Sequence, residues 1–351
     1  MCTIPTTHTV TGKLLALSLM ALSLCAFSSN AEGGQQEGRP SRAVLAFVTN
    51  FGGDGVTVVD PIAGKVIANI KTGAKPHGVA IAPDGGTVYV SNEADGTLSV
   101  IDPAKLEVVA TVEVGKAPNQ IEVSADSRHV FVTLNGADAV AVFDASRRRV
   151  VKTVPVGRAP HVALRSADGK AIYVTSEGDM KVLVLDAAAW TITDEIPVFA
   201  VPRILAVTPN GRKMFQTIRW LNGALVIDPV KKQVIDRIAL GEPRFAAEGK
   251  DAHGLTVTPS GKELWLTTQT MDEVTIIDTE GYKVLGKVHV GRDPNWLGFT
   301  PDGKMAVVSN TGSSDVNVID VARRQVVSTI KVGPDPKRLA VGEVIARATG
   351  R

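Results

Sequence analysis

The stretch Val88-Tyr89-Val90-Ser91-Asn92-Glu93-Ala94-Asp95-Gly96-Thr97-Leu98-Ser99-Val100-Ile101-Asp102 holds two short β-type runs joined by a polar turn. Valine, isoleucine and tyrosine favour extended backbone, and Ala94-Asp95-Gly96 supplies the turn dihedrals between them. The second run, Leu98–Ile101, is apolar on nearly consecutive positions, as a strand buried on both faces should be. One run precedes this pair, Gly78–Ala82, closed by Pro83-Asp84-Gly85. Another follows it after Asp102-Pro103, at Val108–Val114. The unit therefore predicts four short strands separated by turns.

The unit recurs. The run-then-Asp phrase appears at Asp60, Asp102, Asp144, Asp186, Asp228, Asp278 and Asp320, spaced by 42 residues except for one interval of 50. Thirteen residues after each Asp stands Gly73, Gly115, Gly157, Phe199, Gly241, Gly291 or Gly333, so one unit breaks the glycine rule. A proline follows three residues later in every unit but the fifth, where Pro243 comes two later. Composition agrees: 33 Gly and 19 Pro with only 5% aromatics suit a turn-rich β protein, and 44% apolar residues fill a large core. No stretch keeps an apolar 3.6 period long enough for a helical bundle. Seven four-stranded units predict an all-β chain, a seven-bladed β-propeller of antiparallel blades. The chain enters at Ala43–Thr49, which matches a second strand, and leaves at Arg338–Val344, which matches a first strand. Pairing of these two in one blade would close the ring and remove open sheet edges.

Residues 1–31 read as an export segment. Lys13 precedes the apolar run from Leu14 to Phe27, and Ser29-Asn30-Ala31 supplies small residues for cleavage after Ala31. The rival reading is a lipoprotein anchored through Cys25, against which stands the bulky Leu22 where small residues are preferred. Removing residues 1–31 takes away both cysteines, Cys2 and Cys25, and leaves 37 Lys+Arg against 36 Asp+Glu. The mature chain then has no disulfide and no thiolate metal site. Residues 32–42 read as a flexible leader, 43–344 as the propeller and 345–351 as a short tail. The expectation is a periplasmic monomer without a transmembrane segment in the mature chain. A formal charge of +2 excludes a protein that coats nucleic acid by bulk charge.

The segments Ala46-Phe47-Val48-Thr49-Asn50, Val88-Tyr89-Val90-Ser91-Asn92, Ile172-Tyr173-Val174-Thr175-Ser176 and Val307-Val308-Ser309-Asn310 resemble the YVTN repeat. With the Pro-Asp-Gly turns and the Gly-x-x-Pro phrase, the mature chain resembles the exported YVTN/YncE-type seven-bladed propellers. It lacks the Gly-His and Trp-Asp signature of WD40 rings. The resemblance implies the fold and several roles: surface-layer proteins, DNA-associated periplasmic proteins, and accessory proteins of quinone-linked (PQQ-type) or metal-linked periplasmic oxidation.

In such a ring the loop entering each blade lies at the mouth of the central channel, with the loop between second and third strands beside it. The residue after the Gly-x-x-Pro phrase should face that mouth. Counting 17 from each Asp, or 25 in the longer fifth unit, gives His77, Asn119, His161, Arg203, His253, Asn295 and Lys337. Three of the six histidines fall in alternate units of this ring. Converging imidazoles suit a transition metal, an anionic ligand or proton transfer, and His77, His161 and His253 are the ligands if a metal binds. Arg203 and Lys337 oppose a metal by placing fixed positive charge among them. The rim adds Glu93, Glu177 and Arg219, and Trp220 and Trp296 offer stacking surface. The plain alternative for each is a polar mouth residue satisfied by loop carbonyls and water. The insertion 244–252 lengthens the fifth unit directly before His253.

The seven repeated aspartates are turn formers rather than a catalytic set, and no catalytic or nucleotide fingerprint is present. The expectation is thus a non-catalytic binding or scaffold propeller that takes a small molecule or a partner protein at the channel mouth, with no cofactor named by the sequence. Two alternatives stand beside it: a metal-assisted lactonase- or lyase-type enzyme, and single-stranded DNA binding through Arg203, Arg219, Lys337 and Arg338.

Overall fold

The structure, a computed structural model, describes residues 41–241 and 252–346. The export segment of residues 1–31, most of the leader, insertion residues 244–251 and tail residues 347–351 lie outside the described residues.

The chain forms seven four-stranded antiparallel sheets, each built from strands consecutive in the sequence except the first. That exception closes the ring. The C-terminal strand Pro336–Ala346 pairs with the N-terminal strand Ser41–Asn50, from Ser41 opposite Ala346 to Asn50 opposite Pro336. Ser41 and Arg42 of the leader and Ile345 and Ala346 of the tail belong to this ladder. We number this sheet blade 1, so that the sheets starting at Pro76, Pro118, Pro160, Pro202, Ala252 and Pro294 are blades 2 to 7.

Burial follows position in the blade. The third strands are buried along nearly their whole length because neighbouring blades cover both their faces, as at Gly55–Asp60 and Ala139–Asp144. The outermost strands alternate with solvent, as at Lys65–Lys71. The core therefore lies between blades. Ala46 and Val48 of blade 1 pack with Val307, Val316 and Val318 of blade 7, and Trp265 of blade 6 packs edge-on to Phe299 at 5.3 Å. Each repeated aspartate caps the turn between third and outer strands. Asp60 Oδ1 accepts the Ile62 and Ala63 amides at 2.9 and 2.8 Å, and Asp186 and Asp228 repeat the arrangement.

Candidate functional site at the channel mouth

The site originates in a bulge that every blade repeats. In blade 2, Pro76 pairs with Asn92 and Val79 with Val90, so His77 and Gly78 together face the single residue Ser91. Equivalent shifts occur at the start of every innermost strand among the described residues. The extra residue breaks the ladder, and the hydroxyl of the YVTN phrase repairs it. Ser91 Oγ accepts the Gly78 amide, and Thr175, Thr217, Thr267, Ser309 and Thr49 do the same in their blades at 2.8–3.2 Å. The same hydroxyls then donate to the next blade. Thr49 binds the carbonyl of His77, Ser91 that of Asn119, Thr133 that of His161, Thr217 that of His253 and Ser309 that of Lys337, at 2.5–3.1 Å. Five of the seven mouth residues, His77, Asn119, His161, His253 and Lys337, are thus pinned by a hydroxyl of the preceding blade.

The rim is placed as regularly. The amides of Phe51, Glu93, Asn135, Glu177, Arg219 and Thr311 each donate to the loop entering their own blade, at Asp335, Lys75, Ala117, Ala159, Val201 and Asp293. That holds Glu93 over His77, and Glu177 beside His161.

The side chains meet at the centre. His77 and His161 stand edge to face with ring centroids 6.3 Å apart, and Phe51 lies edge-on to His77 at 5.5 Å. His77 Nδ1 is 2.5 Å from Glu93 Oε2. Burial pushes His77 down to about 3, with the Glu93 hydrogen bond opposing and Lys337 and Arg338 adding to the fall. The contact is therefore a hydrogen bond from a neutral imidazole to a carboxylate. Burial would raise Glu93, but the His77 hydrogen bond and the charges of Lys337 and Lys75 outweigh it and hold the carboxyl below its ordinary range. His253 is fully engaged: Nδ1 donates to the Asn295 carbonyl at 2.9 Å, and Nε2 accepts from Arg203 at 3.1 Å. His161 and His253 are both held neutral by burial and by Arg203 and Arg338.

Arg338 dominates the arrangement, although sequence reasoning reaches it only as one member of a cationic patch. It is 1% exposed. Its guanidinium lies 4.2 Å from the Trp296 ring, donates to Asn295 Oδ1 at 3.1 Å, and approaches His161 Nε2 of blade 4 at 3.5 Å. A single side chain of blade 1 thereby touches blades 4 and 7. The signal available in the sequence is that blade 1 carries two successive cations, Lys337-Arg338, where the residue after the mouth position is Gly, Gln, Val, Ile, Gly or Trp in the other blades. Lys337 lies 3.5 Å above the Phe51 ring and is pushed down to about 8 by burial and by Arg338. Arg203 and Arg219 share Glu177, at 3.7 and 3.4 Å.

Four cations (Arg203, Arg219, Lys337, Arg338) thus face two carboxylates (Glu93, Glu177) around neutral histidines. Several donors and acceptors there are buried and without a hydrogen-bond partner among the described residues: His77 Nε2, His161 Nδ1, Asn119 Oδ1, Arg219 Nε and Arg338 Nε. His77, Asn119, His161, His253 and Asn295 are all buried, and Trp296 forms the floor under Arg338. Trp220 stands apart, 57% exposed on the rim. Among the described residues no three His, Cys, Asp or Glu side chains gather as a metal would require. His253 has no free nitrogen to offer, and the surrounding cations repel a divalent ion. At the opposite end a cleft of about 560 Å³ opens between blades 2 and 3, where Asp144–Arg147 and Asp126–Arg128 are already paired.

Fold and site together define a closed seven-bladed ring with a cationic, histidine-lined mouth. The chain belongs to the YncE-like β-propeller family, whose profile matches residues 21–133 and 111–246. No curated protein matches it at the level of sequence. Among solved structures it is similar to Kuenenia stuttgartiensis hydrazine synthase, at TM-score 0.71 and 24% identity over 79% of this chain and 92% of that one. It is similar also to the Pseudomonas aeruginosa periplasmic gluconolactonase PpgL, at TM-score 0.69 and 20% identity over 88% and 100%. The dihydro-heme d1 dehydrogenase NirN aligns at TM-score 0.60 and 20% identity, over 82% of this chain and 63% of its own. Identities this low carry the fold and no activity. No helix of the described residues is long and apolar enough to cross a membrane.

Proposed function

We propose that this protein is an exported, periplasmic binding propeller that takes an anionic group at the channel mouth. The observation that carries the reading is Arg338, a guanidinium 1% exposed whose Nε has no partner, standing beside Lys337 and Arg203 with too few carboxylates to balance them. Burying like charges costs stability unless an opposite charge arrives, and a ligand anion is that charge. Its carboxylate or phosphate oxygens would accept from the guanidinium edges, while the mouth histidines, neutral and pinned through their carbonyls, shape the opening.

The resemblance to accessory propellers of quinone-linked oxidation directs the choice of ligands. A PQQ-type quinone is a planar polycarboxylate, and Trp296 under Arg338 offers ring surface to such a molecule. Calorimetric titration with phosphate, citrate and the quinone, in a buffer free of other multivalent anions, tests the reading. Wild type is expected to bind at least one of them, and Arg338→Met to weaken that binding at least tenfold. Absence of binding to every anion refutes it. Lactone hydrolysis is assayed on the same preparation, because the His77–Glu93 pair leaves a bare imidazole nitrogen of the kind a general base needs.

A further inference from the structure

Seven copies of one unit provide an internal standard for what each position needs. Three positions on the mouth face depart from it together. Where Phe199 stands, the other blades have Gly73, Gly115, Gly157, Gly241, Gly291 and Gly333. Where Trp220 stands they have Gly52, Ala94, Gly136, Gly178, Thr270 and Gly312. Where Met180 stands they have Asp54, Gly96, Asp138, Asn222, Asp272 and Ser314. The three substitutions converge in space. The Val198 amide donates to the Met180 carbonyl, which puts Met180 beside Phe199, and the Arg219 amide donates to Val201, which brings Trp220 to the same loop.

None of the three serves the core. Phe199 is 84% exposed, Trp220 57% and Met180 46%. Neither aromatic ring stacks on another ring or lies under a cation among the described residues. All three also hold left-handed backbone, with φ of 55°, 60° and 52°, a region that disfavours bulky side chains. The glycine rule has a local reason that blade 5 has abandoned. A Cβ on Gly73 would lie 2.7 Å from the Asn92 amide, and one on Gly333 2.6 Å from that of Asn50, whereas blade 5 has Ile218 in place of that asparagine. Strained, exposed and clustered apolar residues on a turn that elsewhere uses glycine mark a surface shaped for contact rather than for folding.

We infer that the Met180–Phe199–Trp220 sector docks a segment of a partner protein that presents a bulky apolar side chain next to a carboxylate. The carboxylate follows from charge: Arg219 adjoins Trp220, Arg203 follows Phe199 by four residues, and the two share one glutamate, leaving positive charge beside the apolar patch. This part rests on the anion reading of the mouth, while the apolar anchor stands on the patch itself. Three side chains in one sector suit a peptide anchor. A nucleic acid needs cations tracking a groove, whereas here they converge on one point, and flanking Arg158 and Lys181 are already paired with Asp179 and Glu195.

Sister blades supply a variant designed to keep the fold: M180D/F199G/W220G places residues that blades with the same turns already use. The probes are three labelled dodecapeptides: one with Leu-Phe flanked by glutamates, one with Leu-Phe flanked by lysines, and one with Ser-Ser flanked by glutamates. A thymidine dodecanucleotide is the fourth. Anisotropy should show the first peptide binding wild type at least tenfold more tightly than the other two, and the triple variant losing at least tenfold for it. The variant should keep wild-type affinity for the small anion of the preceding test. Equal binding of the three peptides, no peptide binding, or binding unchanged in the variant overturns the inference. So does tight oligonucleotide binding that the variant abolishes. Failure of the anion reading shows separately, as wild type binding no small anion.

Discussion

Replacing Arg338 by methionine should make the free protein more stable while removing its anion site. Burial pushes the guanidinium far below its ordinary value, down to about 9, with Arg203 adding to the effect and Glu177 and Glu93 opposing it. At about 1.4 kcal/mol per pH unit, keeping that charge in the folded state costs roughly 5 kcal/mol. Methionine forfeits the hydrogen bond to Asn295, worth about 1.5–3 kcal/mol, and a cation–π contact of about 1 kcal/mol, but keeps apolar packing on Trp296. The net expectation is a gain of roughly 1–2 kcal/mol, which for a chain of this size raises Tm by about 2–3 °C. The assay is calorimetric unfolding at pH 7.5 in a buffer of low anion content, with and without the anion that wild type binds. Added anion should raise the Tm of wild type and leave the variant unmoved. The gap should narrow above pH 9, because the folded pKa is the lowered one. The penalty is complete below about 9 and fades as the folded protein sheds the proton that the unfolded chain still holds. A variant destabilised by 3 kcal/mol or more would refute the reasoning, since Arg338 would then be a keystone between blades rather than a binding group.

Other expectations follow from the same contacts. Acidification should destabilise the ring from about pH 6.5 downward: His77, His161 and His253 stay neutral when folded but take protons when unfolded, so stability present above 6.5 is lost progressively below it, for His77 down to about 3. Urea midpoints across that range should fall, and His77→Phe should shallow the slope. Thr133→Val removes the hydroxyl that binds the carbonyls of Gln120 and His161 at 3.1 Å, and chemical denaturation should register a loss of about 1–3 kcal/mol. Ending the chain at Asp335 deletes the strand that pairs with Ser41–Asn50 and leaves blade 1 without its innermost member. The truncated protein should lose its cooperative transition, and a sharp wild-type-like melt would show that closure is dispensable.

Much of the fold was legible because a propeller writes the same local solution repeatedly. The 42-residue spacing, the turn prolines and the aspartates that cap each turn are short-range signals, and all lie within one blade. The seven mouth positions were legible for the same reason, since six sit 17 residues after their Asp and the seventh, His253, is displaced only by the eight-residue insertion of its unit. The hydroxyl of the YVTN phrase was visible as a letter, but not as a bridge. Its role needs both the bulge at the next strand and the approach of the neighbouring blade, contacts that span 13 and 28 residues in opposite directions.

Pairing among the mouth residues belongs to tertiary structure. Nothing local distinguishes His77, which finds Glu93 in its own blade, from His253, whose nitrogens are taken by Arg203 and Asn295 of the two flanking blades. Nor does the sequence tell Lys337, lying over Phe51, from Arg338, which turns inward and crosses the mouth to blade 4. The sequence by itself determined seven blades, their turns and which offset faces the channel, because these depend on short-range backbone preferences and on a repeated alternation of apolar residues. Which side chains meet, which are left without partners, and hence the balance of charge at the mouth, were decided only when closure of the ring joined Thr49 to Arg338, 289 residues apart, within blade 1 and set Arg338 against His161 of blade 4, 177 residues away.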